Sequence, residues 1–513
     1  MSLSRRNLLT GAVATGAALT VAPLARATTR GLPALVRTDS ATLPSGVASG
    51  DVTPTSAVLW SRTDQPGRLV VELTTDGRFD HAVRLTGPVT GADADFTAKL
   101  PLHGLRPGQR YDYRIGFAGD DGRVGETATG FFRTPELLAR KPVSFVWTGD
   151  TAGQGWGINP EVGGMTAYRA MHATDPDFFI HSGDNIYADG PIQAQVTLRD
   201  GSVWRNVVTE EVAKVAETLT EFRGRFRYNL LDDNVRAMYA EVPLVSQWDD
   251  HETHNNWWPG QILTDTRYTE RRVDVLAARA RQAFGEYMPL SQPGGRDRVY
   301  RKVGRGPLVD VFCLDMRTYR DQNPSPDVTG EVAILGAEQV DWLVREVAAS
   351  KAAWKVIASD MPLGLLVPDG GAIEAVANGR PGAPGGRENE IATVLSAFKA
   401  RGVRNTLWLT ADVHYCAAHH YDPARASYTD FDPFWELVAG PINAGTFGPN
   451  TLDPTFGPKV EFVKAAAYPN QPPSDGNQFF GHVSIDPDTH VLTASLRDLT
   501  GTVLWTRDLD PAR

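Results

Sequence analysis

Several times along this chain an apolar run stops abruptly at an acid or a histidine. Val143-Ser144-Phe145-Val146-Trp147 leads into Thr148-Gly149-Asp150, and Phe178-Phe179-Ile180-His181 leads into Gly183-Asp184. Leu244-Val245-Ser246-Gln247-Trp248 leads into Asp249-Asp250-His251, and Thr406-Leu407-Trp408-Leu409-Thr410 leads into Ala411-Asp412-Val413-His414. Runs this continuously apolar read as strands buried between helical layers. Polar residues at their ends can then converge at one sheet edge, where α/β proteins gather ligands.

Further runs of the same kind are Leu308–Leu314 and Trp354–Ala358. Helical spacing is expected over Thr209–Arg225, Asp265–Tyr287 and Ala337–Ala349, which gives a layered α/β core. Gly481–Ile485 and Val491–Arg497 read as a strand pair that finishes the sheet, and Pro368–Arg387 reads as a Gly/Pro-rich loop.

Ahead of this core, residues 40–135 read as short alternating strands such as Ser56–Ser61 and Arg68–Leu73, separated by Gly, Pro and Asp turns. Leu105-Arg106-Pro107-Gly108, followed by the alternating aromatics Tyr111 and Tyr113, resembles a corner of immunoglobulin and fibronectin type III modules. A small all-β sandwich followed by an α/β domain over 142–510 is therefore expected.

Residues 1–27 stand apart. Arg5 and Arg6 precede an Ala/Gly-rich apolar run that ends at Ala25-Arg26-Ala27, and Ser4-Arg5-Arg6-Asn7-Leu8-Leu9 fits a twin-arginine signal. The translocase for folded proteins is thus an expected partner, with the mature chain secreted or extracytoplasmic. Cleavage would remove three arginines and no acids, moving the formal charge from -10 to -13. Such a balance argues against a nucleic-acid scaffold, which needs basic surface. Only Cys313 and Cys416 occur, so a disulfide framework is excluded. Outside the signal no apolar run is long enough to cross a membrane.

The strand ends carry the chemistry. Asp150 offers a hard oxygen, Asp184 could bridge two cations, and Tyr187 could supply a phenolate, which favours a ferric ion. The stretch Trp248–Asn256 holds eight polar or metal-competent residues in nine positions. Asp412 and His414 alternate, so both can face the same side of an extended segment.

Taken in order, these motifs resemble the purple acid phosphatases and related calcineurin-like phosphoesterases. Asp250-His251 stands where that pattern has Asn-His, and Asp412-Val413-His414 stands where it has His-x-His. The Trp-Asp-Asp-His-Glu stretch, Asp315-Met316-Arg317-Thr318-Tyr319-Arg320, the signal and the leading sandwich are similar to the PhoD family. One departure is Asp150, where many members have Cys; it makes the metal's identity open, since a carboxylate also accepts Mn2+ or other hard ions.

The resemblance implies a four-layer metallophosphoesterase sandwich of two mixed sheets flanked by helices. It implies hydrolysis of small phosphate monoesters or diesters at alkaline pH by a metal-activated hydroxide at a two-metal site. Asp150, Asp184, Tyr187 and His414 would hold Fe3+, and Asp184, Asn255 and Asp412 would hold Ca2+, with Asp250 as a further ligand or a support. His251 has two readings, a proton donor or phosphate contact and an orienting group. Arg317 and Arg320 could clamp phosphate or simply pair with nearby acids. The chain is expected to act as a monomer. Alternatives are a phospholipase D-like phosphodiesterase and a noncatalytic surface module with structural calcium.

Overall fold

The computed structural model describes residues 40–291, 298–328 and 330–512. The expected signal, residues 1–27, lies outside them. Two mixed sheets, of nine and seven strands, form the middle of the α/β region. In the first sheet Val143–Thr148, Phe178–Ser182 and Leu244–Gln247 run parallel, with Thr148 opposite His181 and Ser182 opposite Gln247. In the second, Val309–Cys313, Trp354–Ala358, Thr406–Thr410 and Phe434–Val438 run parallel, with Cys313 opposite Ala358 and Ala358 opposite Leu409. This register brings the ends of neighbouring strands level with one another within each sheet.

Alternation along each strand explains the four layers. Phe145, Trp147, Phe178 and Ile180 point toward Val311, Val356, Leu407 and Leu409 of the facing sheet and make a dry core between the sheets. Their neighbours Val146 and Phe179 pack outward against the helices Thr166–His172, Asp233–Glu241 and Val273–Tyr287. Phe312, Ile357 and Trp408 pack outward against Ala337–Ala349 and Glu388–Ala400. Cys313 and Cys416 are both free and both buried in the core between the sheets. The expected terminal pair is present as Phe479–Ile485 and Leu492–Asp498, with Val503–Leu509 added at the edge.

The helix expected over Thr209–Arg225 begins later. Glu210–Val212 is one 3-10 turn, and the helix is Leu219–Asn229. Its start is set by a capping box: the Glu221 N–H donates to Thr218 Oγ1 at 3.3 Å while the Thr218 N–H donates to the Glu221 carboxylate at 2.8 Å. Likewise the helix expected from Asp265 begins at Val273.

The amino-terminal region is a sandwich whose two sheets have different fates. Gly67–Thr74, Val83–Thr90, Arg110–Ala118 and Val124–Arg133 make a separate four-stranded sheet. Val47–Gly50, Ser56–Arg62 and Thr97–His103 instead extend the nine-stranded sheet, joined where Gly50 lies parallel to Leu244. Glycine is required at that junction, because a Cβ at position 50 would sit 2.5 Å from the Pro289 carbonyl and 2.8 Å from that of Leu244. The expected corner is present too: the Arg106 N–H donates to Tyr111 Oη at 2.8 Å.

The two regions are tied by ionic and hydrogen-bonded contacts. Arg301 donates from Nε and Nη2 to the two Asp51 oxygens at 2.7 and 2.8 Å, and both side chains are almost fully enclosed. Arg223 pairs with Glu286 at 2.7 Å and donates to the Asp93 carbonyl at 2.6 Å. Among the described residues no helix is long and apolar enough to cross a membrane.

Candidate metal centre

Three overlapping groups of potential ligands form where the strands end: Asp150, Asp184 and His414; Asp184, Asp250 and His251; and Asp249, Asp250 and Asp412. Within each group the ligand atoms lie within 4.8 Å of one another. Asp184 belongs to the first two groups and Asp250 to the last two, so the set is continuous. The backbone is bent to achieve this. Asp150, Asp184, Asp412 and His414 all have positive φ, between 50° and 69°, a conformation that non-glycine residues adopt at a cost and that concentrates at functional sites.

His414 is prepared as a ligand. Its Nδ1–H donates to the Gly445 carbonyl at 2.5 Å, which leaves Nε2 to face Tyr187 Oη at 2.8 Å and Asp150 at 3.5 Å. Burial lowers its pKa to about 4, so the ring is neutral. Burial, with Asp184 and Asp150 adding to it, raises the Tyr187 phenol well above its usual range. Tyr187 packs against His251, ring centroids 4.3 Å apart and planes tilted by 30°.

Burial and mutual repulsion also push Asp150, Asp184, Asp249 and Asp412 well above the usual carboxylate range. Both Asp150 oxygens and Asp250 Oδ1 are buried with no hydrogen-bond donor. Among the described residues, seven enclosed carboxylates, those of Asp150, Asp184, Asp249, Asp250, Asp360, Glu374 and Asp412, face two ion-paired guanidinium groups, Arg317 and Arg320, and the His251 imidazole. Unpaired buried carboxylates are costly, and oxygen-rich sets with one imidazole and one phenol are donors for hard cations. The residues fit a metal centre.

Of the residues expected from the sequence, Asp150, Asp184, Tyr187, Asp250, His251, Asp412 and His414 are brought together. Asn255 is exposed, and its N–H donates to Asp189 at 2.8 Å; the neighbouring Asn256 N–H donates to Asp250 at 2.6 Å. Arg317 and Arg320 are fully enclosed and turned onto protein carboxylates: Arg317 meets Asp249 and Glu374, each at 2.5 Å, and Arg320 meets Glu374 at 2.9 Å. Their guanidinium groups do not pair with Asp315, whose carboxylate accepts from Trp248 Nε1, from Thr318 and from the Arg317 backbone N–H.

Sequence reasoning missed Asp189, Glu252, Asp360 and Glu374. Asp189 accepts from His251 Nδ1 at 2.7 Å. Glu252 accepts from the Asn185 and Asp249 N–H groups at 2.5 and 2.8 Å and clasps two ligand loops together; burial raises it to about 7. Asp360 follows the strand Trp354–Ala358, so the rule that singled out the other strand ends applied to it as well.

Gly440 crosses directly over Asp150, where a Cβ would overlap Asp150 Oδ2. Gly440→Ala is therefore expected to displace that carboxylate, with a loss of activity of about 10²-fold and of bound metal, while circular dichroism stays unchanged. Activity assays beside elemental analysis check this.

The family model for the PhoD-like phosphatase matches residues 145–496, and that for the PhoD-like phosphatase amino-terminal domain matches 30–135. Alkaline phosphatase D of Bacillus subtilis is 30% identical over 431 residues, which cover 79% of this chain and 70% of that protein. A solved structure of PhoD superposes with a TM-score of 0.69 at 22% identity, covering 93% of this chain and 94% of that one. A purple acid phosphatase from yellow lupin superposes with a TM-score of 0.55 at 13% identity, covering 92% and 74%.

Proposed function

This chain belongs to the PhoD-like phosphatase family and is a metal-dependent phosphoesterase; from that premise we infer that it is an exported enzyme hydrolysing small phosphate monoesters and diesters at alkaline pH. The observation that carries the reading is a set of three ligand groups joined through Asp184 and Asp250, in which both Asp150 oxygens and Asp250 Oδ1 are enclosed without a donor. Asp150, Asp184, Tyr187 and His414 would hold one ion, read as Fe3+. Asp249, Asp250 and Asp412 would hold the other, read as Ca2+, with Asp184 shared toward it; Mn2+ suits the same oxygens. The exposure of Asn255 argues for a place outside this inner set. When bound, the ions neutralise phosphate charge and lower the pKa of water.

The chain's own residues do the rest. Asp189 holds Nδ1 of His251, and packing against Tyr187 fixes the ring. Burial lowers the His251 pKa, but Asp189, Asp250 and Asp184 outweigh it and raise it well above its usual value. A protonated ring held this way keeps its Nε2–H to hand to the departing alkoxide, which favours the proton-donor reading of His251. Arg317 and Arg320, already committed to carboxylates, orient ligands instead of clamping substrate. With no free guanidinium among them, the single charge of a diester is accommodated as readily as the two charges of a monoester.

Export through the twin-arginine translocase rests on Ser4–Leu9. The noncatalytic alternative is disfavoured because the ligand set spans several strand ends and includes a phenol and an imidazole.

The test is elemental analysis of the purified, folded protein with its visible spectrum and its turnover of chromogenic monoester and diester substrates. Iron with a tyrosinate band that disappears in Tyr187→Phe supports the ferric site, and the preferred ester sets the substrate class. A protein that stays metal-free and inactive after reconstitution overturns the reading.

A further inference from the structure

Arg317 is wholly enclosed, and its guanidinium is shared between two sets of acids. Nη1 donates to Glu374 Oε1 at 2.5 Å, whereas Nε and Nη2 face Asp249 Oδ1 at 2.5 Å. Asp360 lies 3.5 Å, Asp412 3.6 Å and Asp250 3.9 Å from its nitrogens. Three of these acids, Asp249, Asp250 and Asp412, form one of the three ligand groups. The arginine and a cation therefore draw on the same oxygens.

Glu374 stands apart from that trio. It lies within the Pro368–Arg387 segment, just after the short strand Ala372–Ile373, and its side chain is almost fully enclosed. Its place is fixed on every side: its N–H donates to the Val367 carbonyl, its own carbonyl accepts from Arg320 Nη2 and Arg387 Nη1, and its carboxylate also takes Arg320 Nη1. Asn323 joins the same segment, bridging Arg320 and Arg387 to Asp369.

We propose that Glu374 is a positioning residue for the ion held by Asp249, Asp250 and Asp412: by occupying the Nη1 edge of Arg317 it keeps that guanidinium, whose other edge already rests on Asp249, from also claiming Asp250. The inference rests on the two-ion reading given above. Without the Glu374 carboxylate, Nη1 turns to its next acceptor, Asp250 Oδ2, 3.9 Å away, and competes with the cation there. A planar fork can bridge two carboxylates in this way, and a lysine cannot. Because Glu374 belongs to the Pro368–Arg387 segment, the position of that segment is read out as cation affinity.

Terbium(III), a hard oxygen-seeking probe sensitised by tryptophan, is titrated into the full chain after chelation. Glu374→Gln is expected to weaken binding at least about tenfold, and Glu374→Asp, which withdraws the charge by one methylene, to weaken it less. In an Arg317→Lys background the Glu374→Gln change should move affinity by under about twofold, since the bridge is already gone. Unchanged binding in Glu374→Gln, or an equal loss in both backgrounds, overturns the proposal and leaves the two-ion reading standing. A wild-type chain that binds no terbium overturns both. Circular dichroism identifies any variant that does not fold, and the Glu374→Asp comparison then decides.

Discussion

Asp184→Asn is expected to lower kcat by about 10³-fold or more, corresponding to about 4 kcal/mol of lost transition-state stabilisation. Asp184 is the residue shared by the Asp150–His414 group and the Asp250–His251 group, and one of its oxygens also accepts the His251 N–H at 3.2 Å. Replacing one oxygen by an amide nitrogen weakens both groups at once and loosens the backbone that carries His251. Steady-state kinetics beside elemental analysis of the variant check the prediction. A kcat within tenfold of the parent at full metal content would show that Asp184 is not shared between ions.

How much of this was legible in the sequence follows from what the signals report. The four-layer core was legible because its strands are apolar on both faces, and Val146, Phe179, Ile357 and Trp408 face helices while their neighbours face the opposite sheet. The ligand candidates were legible because they follow those strands directly. Asp189 and Glu374 were not, because each stands in a turn or loop whose path depends on tertiary contacts, and nothing in Ala188-Asp189-Gly190 or Ile373-Glu374-Ala375 separates them from solvent-facing acids. The inward turn of Arg317 was equally hidden, since a guanidinium after a strand can reach substrate or protein, and only the placement of Asp249 and Glu374 decides. The late start of Leu219–Asn229 was in fact encoded by Thr218 and Glu221, and the apolar spacing upstream masked it.

Asp51→Ala is expected to destabilise the whole chain by about 3–5 kcal/mol, because it leaves the enclosed Arg301 guanidinium without its carboxylate. Ser291 loses an acceptor as well, since both its N–H and its hydroxyl donate to Asp51 at 2.7 and 2.8 Å. Denaturant unfolding followed by tryptophan fluorescence measures the loss. The sandwich and the α/β region should lose stability together, in one transition; a separate early transition of the sandwich alone would mean that the junction is weaker than its contacts imply.

The sheet that runs through both regions also orders events in time. Gly50 finds its parallel partner only at Leu244, and Asp51 finds Arg301 only 250 residues along the chain. Until the ribosome has delivered those partners, the edge formed by Val47–Gly50 has an open ladder, the kind of edge that recruits other strands. A nascent chain of this design cannot complete its first strands early; they close only once the middle of the chain is made, through costly pairing of contacts distant in sequence. Fragments ending before Leu244 should accordingly aggregate rather than fold, and maturation should depend on the chain being held unaggregated until its middle third emerges.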